Sequence, residues 1–137
     1  MYSPRPDTDD STPTVVVVDD EAQIGRFIAM CLERLGLHPV VCQTVAEARE
    51  YLDSHPVALV LTDLLMPGEG GEELIRWMEV HHPHIPVVVI TAYAANMVAA
   101  QVDHAQVQAV LTKPFTVRQL DQTVNDLLWP REVGERM

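Results

Sequence analysis

The sequence predicts an α/β fold in which five parallel strands form one sheet covered on its two faces by five helices. Three observations lead there. Short runs rich in Val, Ile and Leu are almost continuous in apolar character, the pattern of strands buried on both faces. Between them, apolar residues recur at three- and four-residue steps, the period of an amphipathic helix. Strand and helix then alternate along the chain, which implies right-handed crossovers between parallel strands.

Residues 1–12 are rich in Pro, Ser, Thr and Asp, bury too little apolar surface to offset the entropy of ordering, and are expected to form a flexible leader to one domain at 13–129. The first strand, residues 14–18, is β-branched throughout and ends on Asp19, Asp20 and Glu21. A helix over 21–35 puts Ile24, Phe27, Ile28, Cys31 and Leu35 on one stripe, with Gly36 as its stop. Residues 40–42 make a short second strand, after which Thr44 and Glu47 have capping-box spacing and open a helix over 45–54.

The third strand spans 57–62, with Asp63 just beyond its end, and the loop Leu64-Leu65-Met66-Pro67-Gly68 cannot continue it. A helix over 71–80 follows, before Pro83 and Pro86 interrupt the pattern. The fourth strand, 87–90, closes on Thr91, and an Ala-rich stretch over 94–103 is expected to be a helix. The fifth strand, 109–112, runs directly into Lys113-Pro114-Phe115. Thr116 and Gln119 repeat the capping-box spacing and open a last helix, leaving residues 130–137 as a tail.

At 137 residues and 47% hydrophobic content, the chain is sized for one domain with a substantial core. Twenty acidic against nine basic residues give a formal charge of -11, which repels phosphate backbones and argues against nucleic-acid binding. The first residues lack an apolar signal core and no run approaches the roughly 18 residues of a membrane span, so no membrane association and a cytoplasmic location are expected. Cys31 and Cys42 lack metal-ligand spacing and read as core thiols, and His81, His82 and His84 read as a solvated helix end.

Polar groups stand at four strand ends: Asp19 and Asp20, Asp63, Thr91, and Lys113. In a parallel sheet these ends share one edge, where open α/β folds place their sites. Taken singly, each has a plain structural reading: Asp63 or Asp20 as a cap, Thr91 as a strand former, Lys113 as a solvated charge. Together they pose an electrostatic problem, since two carboxylates about 4 Å apart repel by roughly 4 kcal/mol at an effective dielectric near 20. Lys113 offsets part of that charge, and an oxygen-bound divalent cation, Mg2+ by preference, would offset more.

Four pieces, VVVVDDE at 15–21, LTDLLMPGEGG at 61–71, VVVITAY at 87–93 and LTKPF at 111–115, occur in an order and at separations that resemble the receiver domain of two-component response regulators. The resemblance covers nearly the whole chain and implies a flavodoxin-like sheet of strand order 2-1-3-4-5. It implies that Asp63 is the phosphoacceptor, attacking the phosphorus of a phosphohistidine on a histidine kinase or histidine phosphotransfer protein. Asp20, Asp63 and the backbone carbonyl of Leu65 would hold Mg2+, with Asp19 acting mainly through a coordinated water. Lys113 would hold one phosphoryl oxygen and the Thr91 hydroxyl another, and the bond before Pro114 is expected to be cis. The chain would catalyse only its own phosphoryl transfer and slow dephosphorylation, and would signal to an effector protein through surface contacts. The 94–129 face is the candidate surface for a homodimer.

Two positions depart from the family pattern. Val110 stands where an aromatic residue usually reports phosphorylation, and Gln106-Val107 replaces a Gly-Ala pair. Both keep a phosphorylation-independent pseudo-receiver in view as the alternative. A Mg2+-dependent phosphatase with an aspartyl nucleophile would instead expect Asp-x-Asp after the first strand, where this chain has Asp19-Asp20-Glu21.

Overall fold

The computed structural model of the protein describes residues 12–93, 97–100 and 102–129, so the expected tail and all of the expected leader but Thr12 lie outside the described residues. Its strands are β1 (Thr14–Val18), β2 (His38–Cys42), β3 (Leu59–Asp63), β4 (Val87–Thr91) and β5 (Val107–Thr112). Its helices are α1 (Ala22–Arg34), α2 (Val45–Ser54), α3 (Gly71–His81) and α4 (Val117–Leu128). All strand pairs are parallel and the order is β2-β1-β3-β4-β5, the order the family resemblance implies.

Alternation along each strand divides the core between the two faces of the sheet. On one face Val16, Val18, Val60, Val87 and Val89 pack with Val45, Ala48 and Leu52 of α2 and with Leu74, Ile75 and Met78 of α3. On the other, Val15, Val17, Leu59, Leu61, Val88 and Ile90 pack with Ile28, Cys31 and Leu32 of α1 and with Leu120 and Val124 of α4. The central strands β3 and β4 are buried along their whole length, as their unbroken apolar runs require.

Both predicted capping boxes form. Thr44 Oγ1 accepts from the Glu47 amide at 3.1 Å while Glu47 Oε1 accepts from the Thr44 amide at 3.2 Å. At α4 the corresponding distances are 3.0 Å from the Gln119 amide to Thr116 Oγ1 and 2.8 Å from the Thr116 amide to Gln119 Oε1. At α3, Gly70 has no side chain to cap with, so only the reverse bond exists: Glu73 Oε1 accepts from the Gly70 amide at 2.8 Å, which holds the Glu73 carboxyl below the usual carboxylate range.

The helix expected over 94–103 is a correction: among the described residues there are four α-helices, not five. Ala94, Ala95, Asn96 and Gln101 lie outside the described residues, while Met97 is 3-10 helical and 98–100 form a bend and turn rather than α-helix. The Val102 amide donates to the carbonyls of Val98 at 3.2 Å and Ala99 at 3.3 Å. Val98 is buried and Val102 packs partly buried against the same core cluster, while Ala99 and Ala100 are exposed and supply propensity without packing.

Strand limits shift modestly. β2 begins two residues early and includes Pro39, tolerated because β2 is an edge strand. β3 starts at Leu59 and takes in Asp63 as its last residue. β5 starts at Val107, where the replacement of the usual small pair has a structural use. Buried Gln106 donates through Nε2 to the carbonyls of His82 and Ile85, both at 2.8 Å, and ties the α3–β4 connection to the entry of β5.

The Thr44→Ala chain should lose about 1 kcal/mol of unfolding free energy, the usual worth of an N-cap. Urea titration should show a lower midpoint with an unchanged slope, and an unchanged midpoint would mean the box is not coupled to folding.

Candidate functional site

The sheet delivers its polar groups to one edge by extending the strand hydrogen bonding one step past the strand ends. The Asp19 amide donates to the Cys42 carbonyl at 3.0 Å, the Leu64 amide to the Ile90 carbonyl at 3.2 Å, and the Lys113 amide to the Thr91 carbonyl at 2.7 Å. These bonds hold Asp19, Asp63 and Lys113 together although Lys113 is separated from Asp19 by 94 residues. The Lys113–Pro114 bond is cis, as expected.

The two buried carboxylates divide their oxygens in the same way. Asp19 Oδ1 accepts from the Glu21 amide at 2.8 Å, and its Oδ2 lies 3.4 Å from Lys113 Nζ. Asp63 Oδ1 accepts from the Leu65 amide at 3.3 Å, and its Oδ2 takes Lys113 Nζ at 3.0 Å. Asp20, exposed beside them, completes a group in which Asp19, Asp20 and Asp63 each offer an oxygen within 4.8 Å of the others. Three carboxylates therefore face one ammonium. An all-oxygen acidic donor set of this size fits a hard divalent cation such as Mg2+.

Burial is the largest influence on Asp19 and raises its pKa above the ordinary 3.8, with the Glu21 amide and the Lys113 charge only partly countering it. For Lys113 burial acts downward, but the hydrogen bond and charge of Asp63, then those of Asp19, outweigh it and hold the ammonium above its ordinary 10.5.

Thr91 is fully buried, and its hydroxyl accepts from the Tyr93 amide at 3.1 Å. It is thus placed at the same edge but bonded within its own turn. Leu65 and Tyr93 expose their side chains at the rim, at 51% and 45%. Val110 is partly buried against the β-sheet face covered by α2 and α3. Sequence reasoning missed two contributors. Glu21 brings Oε1 to 3.7 Å from Lys113; its position in the acidic run at the end of β1 was the available signal. Gly71 is required by close approach, since a Cβ there would strike the Asp63 carbonyl oxygen and come within 3.0 Å of Leu64 Cα. The Gly70-Gly71 pair after the loop was the signal for that.

Residues 15–125 match the family described as the response regulator receiver domain, and the chain belongs to that family. Response regulator receiver protein CpdR of Brucella abortus is 32% identical over 114 residues, which cover 83% of this chain and 95% of CpdR. Response regulator protein PilR of Pseudomonas aeruginosa is 35% identical over the same length, but this chain spans only 26% of it. Among solved structures, a response regulator receiver protein from Pseudomonas putida is 30% identical with a TM-score of 0.78, covering 85% of this chain and 98% of that one. The fold is also shared with TrrA of Thermotoga maritima, solved in complex with Mg2+-BeF, at a TM-score of 0.78 and 24% identity, covering 85% of this chain and all of that one. Among the described residues no helix is long and apolar enough to cross a membrane, and the acidic trio is the one His, Cys, Asp or Glu group that could hold a metal. The histidines at 81, 82 and 84 do not form such a group.

Removing the internal cation should unsettle the site. Lys113→Met should cost about 2 kcal/mol at neutral pH, the scale of a lost hydrogen bond to a charged group. Asp19 has a raised folded pKa, so its ionised form is the one that most needs the lysine. The deficit relative to wild type should therefore be full well above the carboxylate range and shrink as pH falls through that raised value, from above 3.8 downward. Urea unfolding of both chains across that range measures it, and a pH-independent gap would contradict the assignment.

Proposed function

We propose that the chain is a phosphoacceptor response regulator in a two-component phosphorelay, phosphorylated on Asp63 by a histidine kinase or histidine phosphotransfer protein. The observation that carries this reading is the convergence of Asp19, Asp20 and Asp63 within 4.8 Å, with Lys113 Nζ 3.0 Å from Asp63. A pseudo-receiver has no need to keep that set together.

Asp63 ends its strand with one oxygen on the Leu65 amide and the other on Lys113. A carboxylate oxygen attacks the phosphorus of the donor phosphohistidine. The new P–O bond forms as the P–N bond breaks, and the imidazole leaves with a proton from solvent. Asp19, Asp20, Asp63 and the Leu65 carbonyl would hold Mg2+, which when bound supplies charge neutralisation at the phosphoryl oxygens. Lys113 releases Asp63 to hold a phosphoryl oxygen. The Thr91 hydroxyl, now accepting from the Tyr93 amide, reorients to donate to another. Effector proteins then recognise the altered surface around β4, β5 and α4.

The test is phosphorylation with Mg2+ and a small acyl phosphate donor, followed by intact mass. One added phosphoryl group is expected in the wild type and none in Asp63→Asn, whereas a wild type that takes no label, or a variant that keeps it, would rule the reading out.

The exposed Leu65 and Tyr93 side chains flank the approach of hydrolytic water, so the acyl phosphate should be long-lived. Leu65→Asn and Tyr93→Glu should each speed its hydrolysis, about tenfold or roughly 1.4 kcal/mol of barrier. Following loss of the label by mass measures this, and no acceleration in either variant would refute the shielding role.

A further inference from the structure

Arg49 of α2 has no part in the chemistry above, yet it grips the loop that follows the acceptor. Residues 64–70 leave the sheet after Asp63 and return at α3. Both ends of this loop are pinned by backbone: the Leu64 amide on the Ile90 carbonyl at 3.2 Å, and the Gly71 amide on the Leu64 carbonyl at 2.9 Å. The middle turns at Gly68, whose φ of +76° few side chains tolerate. Glu69, next to that turn, is bound from outside: Arg49 Nη2 donates to Glu69 Oε2 at 2.8 Å.

Arg49 is itself held by α3. Its guanidinium carbon lies 5.7 Å from the centroid of the Trp77 ring, within cation–π range, and its Nε is buried without a hydrogen-bond partner. Three elements thus meet at one guanidinium. The Arg76–Glu72 pair has the same 2.8 Å length but joins two positions of one helix, so it restrains nothing beyond α3.

We infer that Arg49 is a positioning residue: acting through Glu69, it sets the glycine-hinged loop, and with it Leu65, against the frame of α2 and α3. Its effect on the metal site rests on the proposed reading of Asp63 and Leu65, whereas its hold on the loop does not. Arg49→Met keeps an alkyl stem of similar length and removes the guanidinium, and with it both the Glu69 pair and the Trp77 contact. Glu69→Gln removes the partner's charge.

Calorimetric Mg2+ titration of the full chain should show affinity about three- to fivefold weaker in each single variant, the upper range for a part-exposed ion pair. The double variant should be no weaker than either, because the pair acts as a unit. Arg49→Lys should recover part of the loss, keeping the charge without the planar fork. Without Mg2+, hydrogen exchange in Arg49→Met should quicken at the amides of Leu65, Met66, Gly68 and Glu69 and stay unchanged in β3. Unchanged affinity together with unchanged loop exchange would overturn the role, as would a loss in Arg49→Met that Glu69→Gln does not reproduce. A wild-type chain that binds no Mg2+ and accepts no phosphate would instead sink the functional reading, and the loop exchange alone would then decide for or against Arg49.

Discussion

Everything at the active edge depends on how one ammonium is shared between two buried carboxylates. Lys113 lies 3.0 Å from Asp63 and 3.4 Å from Asp19, and neither carboxylate has bulk water to fall back on. A buried charge without a partner is strongly destabilising, so the fold must bring the end of β5 to the ends of β1 and β3. The parallel sheet does this with backbone bonds alone. Backbone bonds from the amides of Asp19, Leu64 and Lys113 to neighbouring strand ends fix the edge, which leaves the side chains free for chemistry.

The arrangement is under-compensated by design of its charges rather than by any fault of packing. Three carboxylates and the nearby Glu21 surround a single lysine, and burial already lifts Asp19 above its ordinary pKa. A site in that state gains from any added positive charge. A buried carboxylate perturbed by burial within such a gathering of charges is characteristic of functional sites.

Beyond the edge, the departures from the family pattern have distinct physical consequences. Gln106 is not a passive replacement, since its amide locks the connection before β4 to the start of β5. Val110 has a single stiff side-chain torsion and packs partly into the core, so it lacks the ring movement of an aromatic residue. β5 is thus anchored at its entry and lacks that reporter. The loop after Asp63 is braced by Arg49 and Trp77 from the flank of the sheet.

The sequence by itself determined the sheet, the capping boxes at Thr44 and Thr116, and the identity of the strand-end polar residues. Buried parallel strands need continuous apolar runs, and caps need fixed short spacings, so both leave local marks. The tertiary structure alone decided what depends on neighbours distant in sequence. Local composition could not reveal that the described residues of the Ala-rich stretch form no α-helix, because docking is set by what lies opposite. Nor could it show Glu21 beside Lys113, the backbone of Asp63 pressed against Gly71, or Arg49 bound to Glu69. Those contacts exist only once crossovers have brought separate strands and helices to one edge, and no short-range pattern encodes them.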